Sequence, residues 1–240
     1  MKVFTTMKIY FDGCSWTWGG ELENRESDRF SAIVSKNLGA EECNFSRPMS
    51  SNDRILRQLV FDNDVREYDL AIIQMSYPSR TEYYDKKEEK FCNIGINFTP
   101  LWRRATTIVD GFLGSDGNSA PKGKLKGTLD WSHPNKEGRK MGHKWWKDED
   151  RQFWYQYYTD VYTDYHGLVK EKIIYQLIKD HCKVNNVPLL LMTINNWNTE
   201  LKFDLELEHK KYPRAPKFHP NEEGHQMIAE DILSWLTKHK

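Results

Sequence analysis

The run Leu70-Ala71-Ile72-Ile73-Gln74-Met75 is apolar on both of its alternating faces. A strand with no face for water must lie inside a sheet covered on both sides, and parallel sheets wrapped by helical crossovers meet that condition. The surrounding sequence agrees. Lys8-Ile9-Tyr10-Phe11, residues 42–45 and residues 189–193 also read as strands. Between them lie helical patterns: residues 27–38 with Phe30, Ile33, Val34 and Leu38 on one face, a second with Ile55, Leu56, Leu59 and Val60, and residues 169–182 with Ile173, Ile174, Leu177 and Ile178. Residues 226–236 close the chain with Ile228, Ile232, Trp235 and Leu236 at helical spacing. Ser27 is placed to cap the first of these helices and Gly39 to end it. Strands separated by helices pair in parallel through right-handed crossovers, which gives an α/β protein of three layers, α/β/α. Such sheets bind ligands at the carboxyl ends of their strands. Chemistry is therefore expected just after Phe11, Phe45, Met75 and Thr193.

The 240 residues suit one domain, 1–240, with ample core. Lys+Arg and Asp+Glu balance at 35 each, which excludes a strongly basic binder but leaves room for a local basic patch. No apolar run approaches the roughly 20 residues that cross a bilayer, and the first residues lack the apolar stretch of a signal peptide. A cytoplasmic setting without membrane partners is expected. Cys14, Cys43, Cys92 and Cys182 form no C-x-x-C pair and no metal-ligand spacing, so reduced thiols and no metal are expected. Residues 80–154 break the alternation and read as an insertion or lid over the carboxyl edge, with a helix expected at residues 101–113.

Two motifs flank the sheet. Gly13-Cys14-Ser15-Trp16-Thr17-Trp18-Gly19 follows the first strand, where a serine on a tight turn exposes its hydroxyl beside unpaired N–H groups. Phe218-His219-Pro220-Asn221-Glu222-Glu223-Gly224-His225 leads into the last helix and holds a histidine on a loop before a helix start. Alone, each is more often a turn or cap. Together, a serine after the first strand and a histidine before the last helix can converge on the carboxyl edge of the sheet, which gives Ser15 as nucleophile and His219 as its general base.

With these motifs the chain resembles a divergent member of the SGNH (GDSL-type) hydrolase superfamily of esterases, lipases and carbohydrate deacetylases. The first motif matches G-D-S-x-T-x-G except at Cys14, and His219-Pro220-Asn221 with Gly224-His225 matches the family's last block. The resemblance implies a flavodoxin-like sandwich with a five-stranded parallel sheet, Ser15 as nucleophile and His219 as base. It also implies an oxyanion hole of the Ser15 N–H and a second N–H from residues 46–50, at Met49 or Ser46. The family's asparagine donor after the third strand falls on Pro78, which has no N–H. Ser79, Arg80 and Asn52 are the polar side chains at hand to stand in. The family's acid, three residues before the histidine, falls on Pro216.

A second histidine motif, Asp130-Trp131-Ser132-His133-Pro134-Asn135, lies in the insertion; Asp130 and His133 are either auxiliary site residues or part of a turn that matches by chance. Basic residues interleaved with Trp131, Trp145 and Trp146 over residues 122–147 form a solvated loop pinned by its tryptophans, a sugar platform or a nucleic-acid contact, the first being the commoner outcome. The resemblance thus points to a serine esterase that removes small O-acyl groups from a carbohydrate or similar alcohol and uses no cofactor. The alternative is a catalytically impaired binding module for a glycan or a protein, and nucleic-acid binding stands behind both. Divergent relatives in tailed-phage genomes add a virion-associated setting to the expectations.

Overall fold

The computed structural model describes residues 6–85, 89–94, 157, 164–194, 200–216 and 219–239. Strand β1 (Lys8–Asp12) leads into a single helical turn, α1 (Ser15–Trp18), then α2 (Arg25–Asp28) and α3 (Phe30–Leu38). β2 (Glu41–Asn44), α4 (Asn52–Arg57) and β3 (Leu70–Met75) follow. Beyond an antiparallel hairpin, β4 (Thr81–Asp85) and β5 (Lys90–Ile94), come α5 (Asp164–Val184), β6 (Leu189–Ile194), β7 (Leu205–Leu207) and α6 (Glu222–Lys238). Five strands form one parallel sheet in the order β2-β1-β3-β6-β7.

Residue parity explains the layers. Side chains of a strand alternate between faces, and Ile9, Phe11, Leu70, Ile72, Leu190 and Met192 share one core with Phe30 and Val34 of α3 and Ile228 and Ile232 of α6. Tyr10, Ala71, Ile73 and Leu191 share the other with Ile55 of α4 and Ile174 and Ile178 of α5. The result is the three-layer α/β/α sandwich with a five-stranded parallel sheet that the sequence implied.

Several details differ from the sequence-based reading. The helix expected over residues 27–38 breaks at Arg29, whose ψ of 146° is extended. Its guanidinium instead forks onto Glu42 of β2 at 2.9 and 3.0 Å. Ser27 therefore caps nothing; the Phe30 N–H that opens α3 donates to His225 Nδ1 at 3.2 Å, a cap supplied by α6. On α5, Ile174 and Ile178 are buried, but Ile173 and Leu177 are 56% and 47% exposed, so the helix is turned from the expected stripe. β7 was not anticipated, because three residues carry no period. Of the expected insertion, residues 81–85 and 90–94 form the hairpin strands, fastened to α4 by the Arg57 fork onto Glu82 at 2.7 and 2.9 Å and by Asp53, which accepts from the Glu82 N–H. The helix expected at residues 101–113 and the basic, Trp-rich stretch lie outside the described residues. Cys14, Cys43 and Cys182 are free thiols. Among the described residues no helix is long and apolar enough to cross a membrane.

His225 is fully buried and stacks on Phe30 at 5.8 Å. Burial holds its imidazole down to about 3, from an ordinary 6.5. The unfolded chain takes up this proton below pH 6.5 and the folded chain refuses it, so His225 contributes stability that is present above pH 6.5 and is lost as pH falls toward 3. Between pH 7 and pH 5 the loss should be about 2 kcal/mol. Urea denaturation at the two pH values should show a smaller loss in His225→Gln, which keeps an acceptor for the Phe30 N–H.

Candidate active site

The loops at the carboxyl edge converge on one buried ion pair. Asp12, the last residue of β1, points to the α4 side and meets Arg54 Nη1 at 2.8 Å, with both side chains fully buried. The same Nη1 donates to Ser50 Oγ at 3.1 Å, and Nη2 donates to the Phe45 carbonyl. Asp12 also accepts the Gly13 N–H at 2.7 Å and the Tyr10 hydroxyl at 3.3 Å. Burial pushes the Asp12 carboxyl up to about 6, against the pull of Arg54 and these donors. One guanidinium thus joins the ends of β1 and β2 to the loop before α4.

The Ser15 turn is braced from the other face of the sheet. Gln74 of β3 presents Oε1 to the Thr17 hydroxyl at 3.1 Å and to the Cys14 N–H at 3.4 Å. Trp16 is buried and packs on His209 at 4.8 Å and edge-on to Tyr212. Asn44 reaches across from β2 to the Thr17 carbonyl at 3.2 Å. Ser15 itself is half-buried, and among the described residues neither its hydroxyl nor its N–H has a hydrogen-bond partner.

His219 arrives on a tight loop. Asn221 N–H donates to the Pro213 carbonyl at 3.1 Å and Ala215 N–H to the His219 carbonyl at 2.8 Å, and Arg214 bridges Pro220. Asn221 then caps α6 by accepting the Gly224 N–H at 2.9 Å. The imidazole lies over Gly20, where a Cβ would come within 3.1 Å of Cδ2 and 3.3 Å of Nε2. Gly20 N–H in turn donates to the Ser15 carbonyl at 2.8 Å. Gly20 thus touches both motifs, with the His219 ring packed over it and its N–H on the Ser15 carbonyl.

The other expected site residues separate. Met49 adopts φ of 63°, a left-handed conformation suited to glycine, and its N–H has no partner among the described residues. The Ser46 N–H is already bound to Asn44 Oδ1 at 3.0 Å. Asn52 spends its amide on the Ser76 backbone, donating to the carbonyl at 3.1 Å and accepting the N–H at 2.7 Å. Arg80 is buried, with Nη1 on Ser76 Oγ at 2.9 Å and on the Ser50 carbonyl at 3.4 Å. Both tie the loop after β3 to the loop before α4. Pro78 and Ser79 are buried beside them. Asp130 and His133 lie outside the described residues.

One contact was missed from the sequence. Glu21 Oε2 lies 2.8 Å from His219 Nδ1 and accepts the His219 N–H at 3.1 Å. Glu21 holds φ of 70°, following Gly19 at φ 82°. Left-handed backbone at a residue with a side chain costs about 1–2 kcal/mol. The available signal was the Gly19-Gly20-Glu21 sequence itself, a carboxylate delivered by the tail of the serine turn.

No protein-family model matches the chain, and no curated protein matches it in sequence. Solved structures do. A carbohydrate esterase whose active site displays divergent catalytic and non-catalytic binding functions is similar at 10% identity and TM-score 0.49, over 99% of this chain and 67% of its own. A two-domain esterase active on acetylated mannans, co-crystallised with mannopentaose, is similar at 12% identity and TM-score 0.45, over 97% of this chain and 49% of its own. An acetyl xylan esterase from the rumen bacterium Butyrivibrio proteoclasticus is similar at 11% identity and TM-score 0.44, over 97% and 64%. The chain thus spans about half to two thirds of the length of these structures.

Breaking the central pair strips the buried Asp12 of its counter-charge, so Arg54→Met is expected to destabilise the fold by about 3–5 kcal/mol, measured by denaturant unfolding. The double substitution Asp12→Asn, Arg54→Met should recover part of that loss. Gly20→Ala is expected to displace the His219 ring, read from its side-chain NMR shifts, with little change in melting temperature.

Proposed function

We propose that the chain is a serine-dependent ester hydrolase of the SGNH type. The observation that carries this reading is the contact of both motifs with Gly20, the His219 ring packed over it and the Ser15 carbonyl on its N–H, with the Ser15 and Met49 N–H groups unpaired among the described residues. His219 takes the Ser15 proton as the hydroxyl oxygen attacks the acyl carbon. The carbonyl oxygen gains negative charge, and the Ser15 and Met49 N–H groups are the donors proposed to hold it. Collapse releases the alcohol, protonated by His219, and leaves an acyl group on Ser15. Water then attacks, again with His219 as base, and frees the acid. The route uses only groups of the chain and water.

For substrate we propose a small O-acyl group on a carbohydrate, the class to which acetylated mannans and acetyl xylan belong. Unlike a thiol or metal route, this chemistry depends on an activated serine, and a fluorophosphonate probe reports that without a choice of substrate. Labelling of the wild-type chain that disappears in Ser15→Ala and in His219→Ala is the expected result, followed by acetate release from acetylated glycans. A folded wild-type chain that takes no label would remove the hydrolase reading and leave a glycan- or protein-binding module in its place.

A further inference from the structure

The position that supplies the orienting acid in the resembled family holds Pro216, which is exposed and belongs to the turn closed by the Ala215 N–H on the His219 carbonyl. Glu21 comes instead from the serine side. A single oxygen, Oε2, meets both Nδ1 of the ring at 2.8 Å and the backbone N–H of the same histidine at 3.1 Å. The two side chains are only 21% and 17% exposed, which limits competition from water. The ring itself lies over Gly20, with Cδ2, Cγ and Nε2 all close to where a Cβ would stand, and the Gly20 N–H holds the Ser15 carbonyl. Nδ1 therefore faces a carboxylate, and Nε2 is the ring nitrogen that Glu21 leaves open. The left-handed backbone at Glu21 brings the carboxylate there.

We propose that Glu21 is the positioning residue for His219, an acid carried by the nucleophile's own turn rather than by the histidine loop. Its carboxylate accepts the Nδ1 proton, fixes the tautomer and leaves the Nε2 lone pair free to take the Ser15 proton. When Nε2 gains that proton the ring becomes an imidazolium beside a carboxylate. The proton on Nδ1 stays there, and no proton passes to Glu21. This role rests on the hydrolase reading for its effect on rate, but the tautomer of His219 does not.

The test uses the full chain labelled with 15N in its histidines. Neutral His219 is expected to carry its proton on Nδ1 in the wild type and to shift toward the Nε2-protonated form in Glu21→Ala. Fluorophosphonate labelling of Ser15 should slow by about 10- to 1,000-fold in Glu21→Ala and in the isosteric Glu21→Gln, with melting temperatures within a few degrees of wild type. A wild-type proton on Nε2, or labelling rates in both variants within about twofold of wild type, overturns the proposal. A wild-type chain that takes no label removes the hydrolase reading, and the tautomer measurement then still decides whether Glu21 orients His219.

Discussion

Everything at the working edge of this protein hangs on a charge that has been taken out of water. Asp12 and Arg54 are buried together, and neither could be buried alone without a penalty of several kcal/mol. What makes the arrangement tolerable is that Arg54 adds to the ion pair with Asp12 two further bonds, to the Ser50 hydroxyl and the Phe45 carbonyl. The guanidinium is planar and rigid, so these acceptors are held in fixed relation. The loop carrying Met49 is thereby registered against the end of β1, two residues before the serine turn begins. A hydrophobic pair of equal volume would fill the space but would not set that register.

The second brace, Gln74, works through the opposite face of the same sheet. A glutamine at the end of a central strand is costly unless its amide is satisfied. Here Oε1 receives donors from the serine turn and Nε2 donates to the Met75 carbonyl at 2.6 Å. The serine turn is thus clamped between a charged bridge below and an amide above, while His219 approaches from a loop closed on itself. Positioning comes from backbone contacts and buried polar groups, which suits a site whose parts must stay within a fraction of an ångström.

How much of this the amino-acid sequence disclosed follows from the range of each interaction. Strands such as Leu70–Met75 announce themselves because both faces are apolar, and Ser15 and His219 stand in short local patterns. Met49 was a candidate by position, although its left-handed backbone is set by the loop and cannot be read from a methionine. The break at Arg29 comes with an ion pair to Glu42, thirteen residues on, which no local pattern announces. β7 is too short for any period to show, and in the hairpin of β4 and β5 the adjacent Tyr83 and Tyr84 break any alternation. Glu21 escaped for a different reason. A search for the acid looks beside the histidine, and the carboxylate sits beside the serine instead.

That exchange of sides has a temporal side. Glu21 and His219 are 198 residues apart, and every strand of the sheet but β1 is laid down between them. At ordinary rates of synthesis the serine turn is made about 10–40 s before its histidine is added. Throughout that interval the nascent chain carries Ser15 and Glu21 on one short turn with nothing to connect them. A chain cut off anywhere before residue 219 would display the serine and its neighbouring carboxylate, yet the two would remain uncoupled.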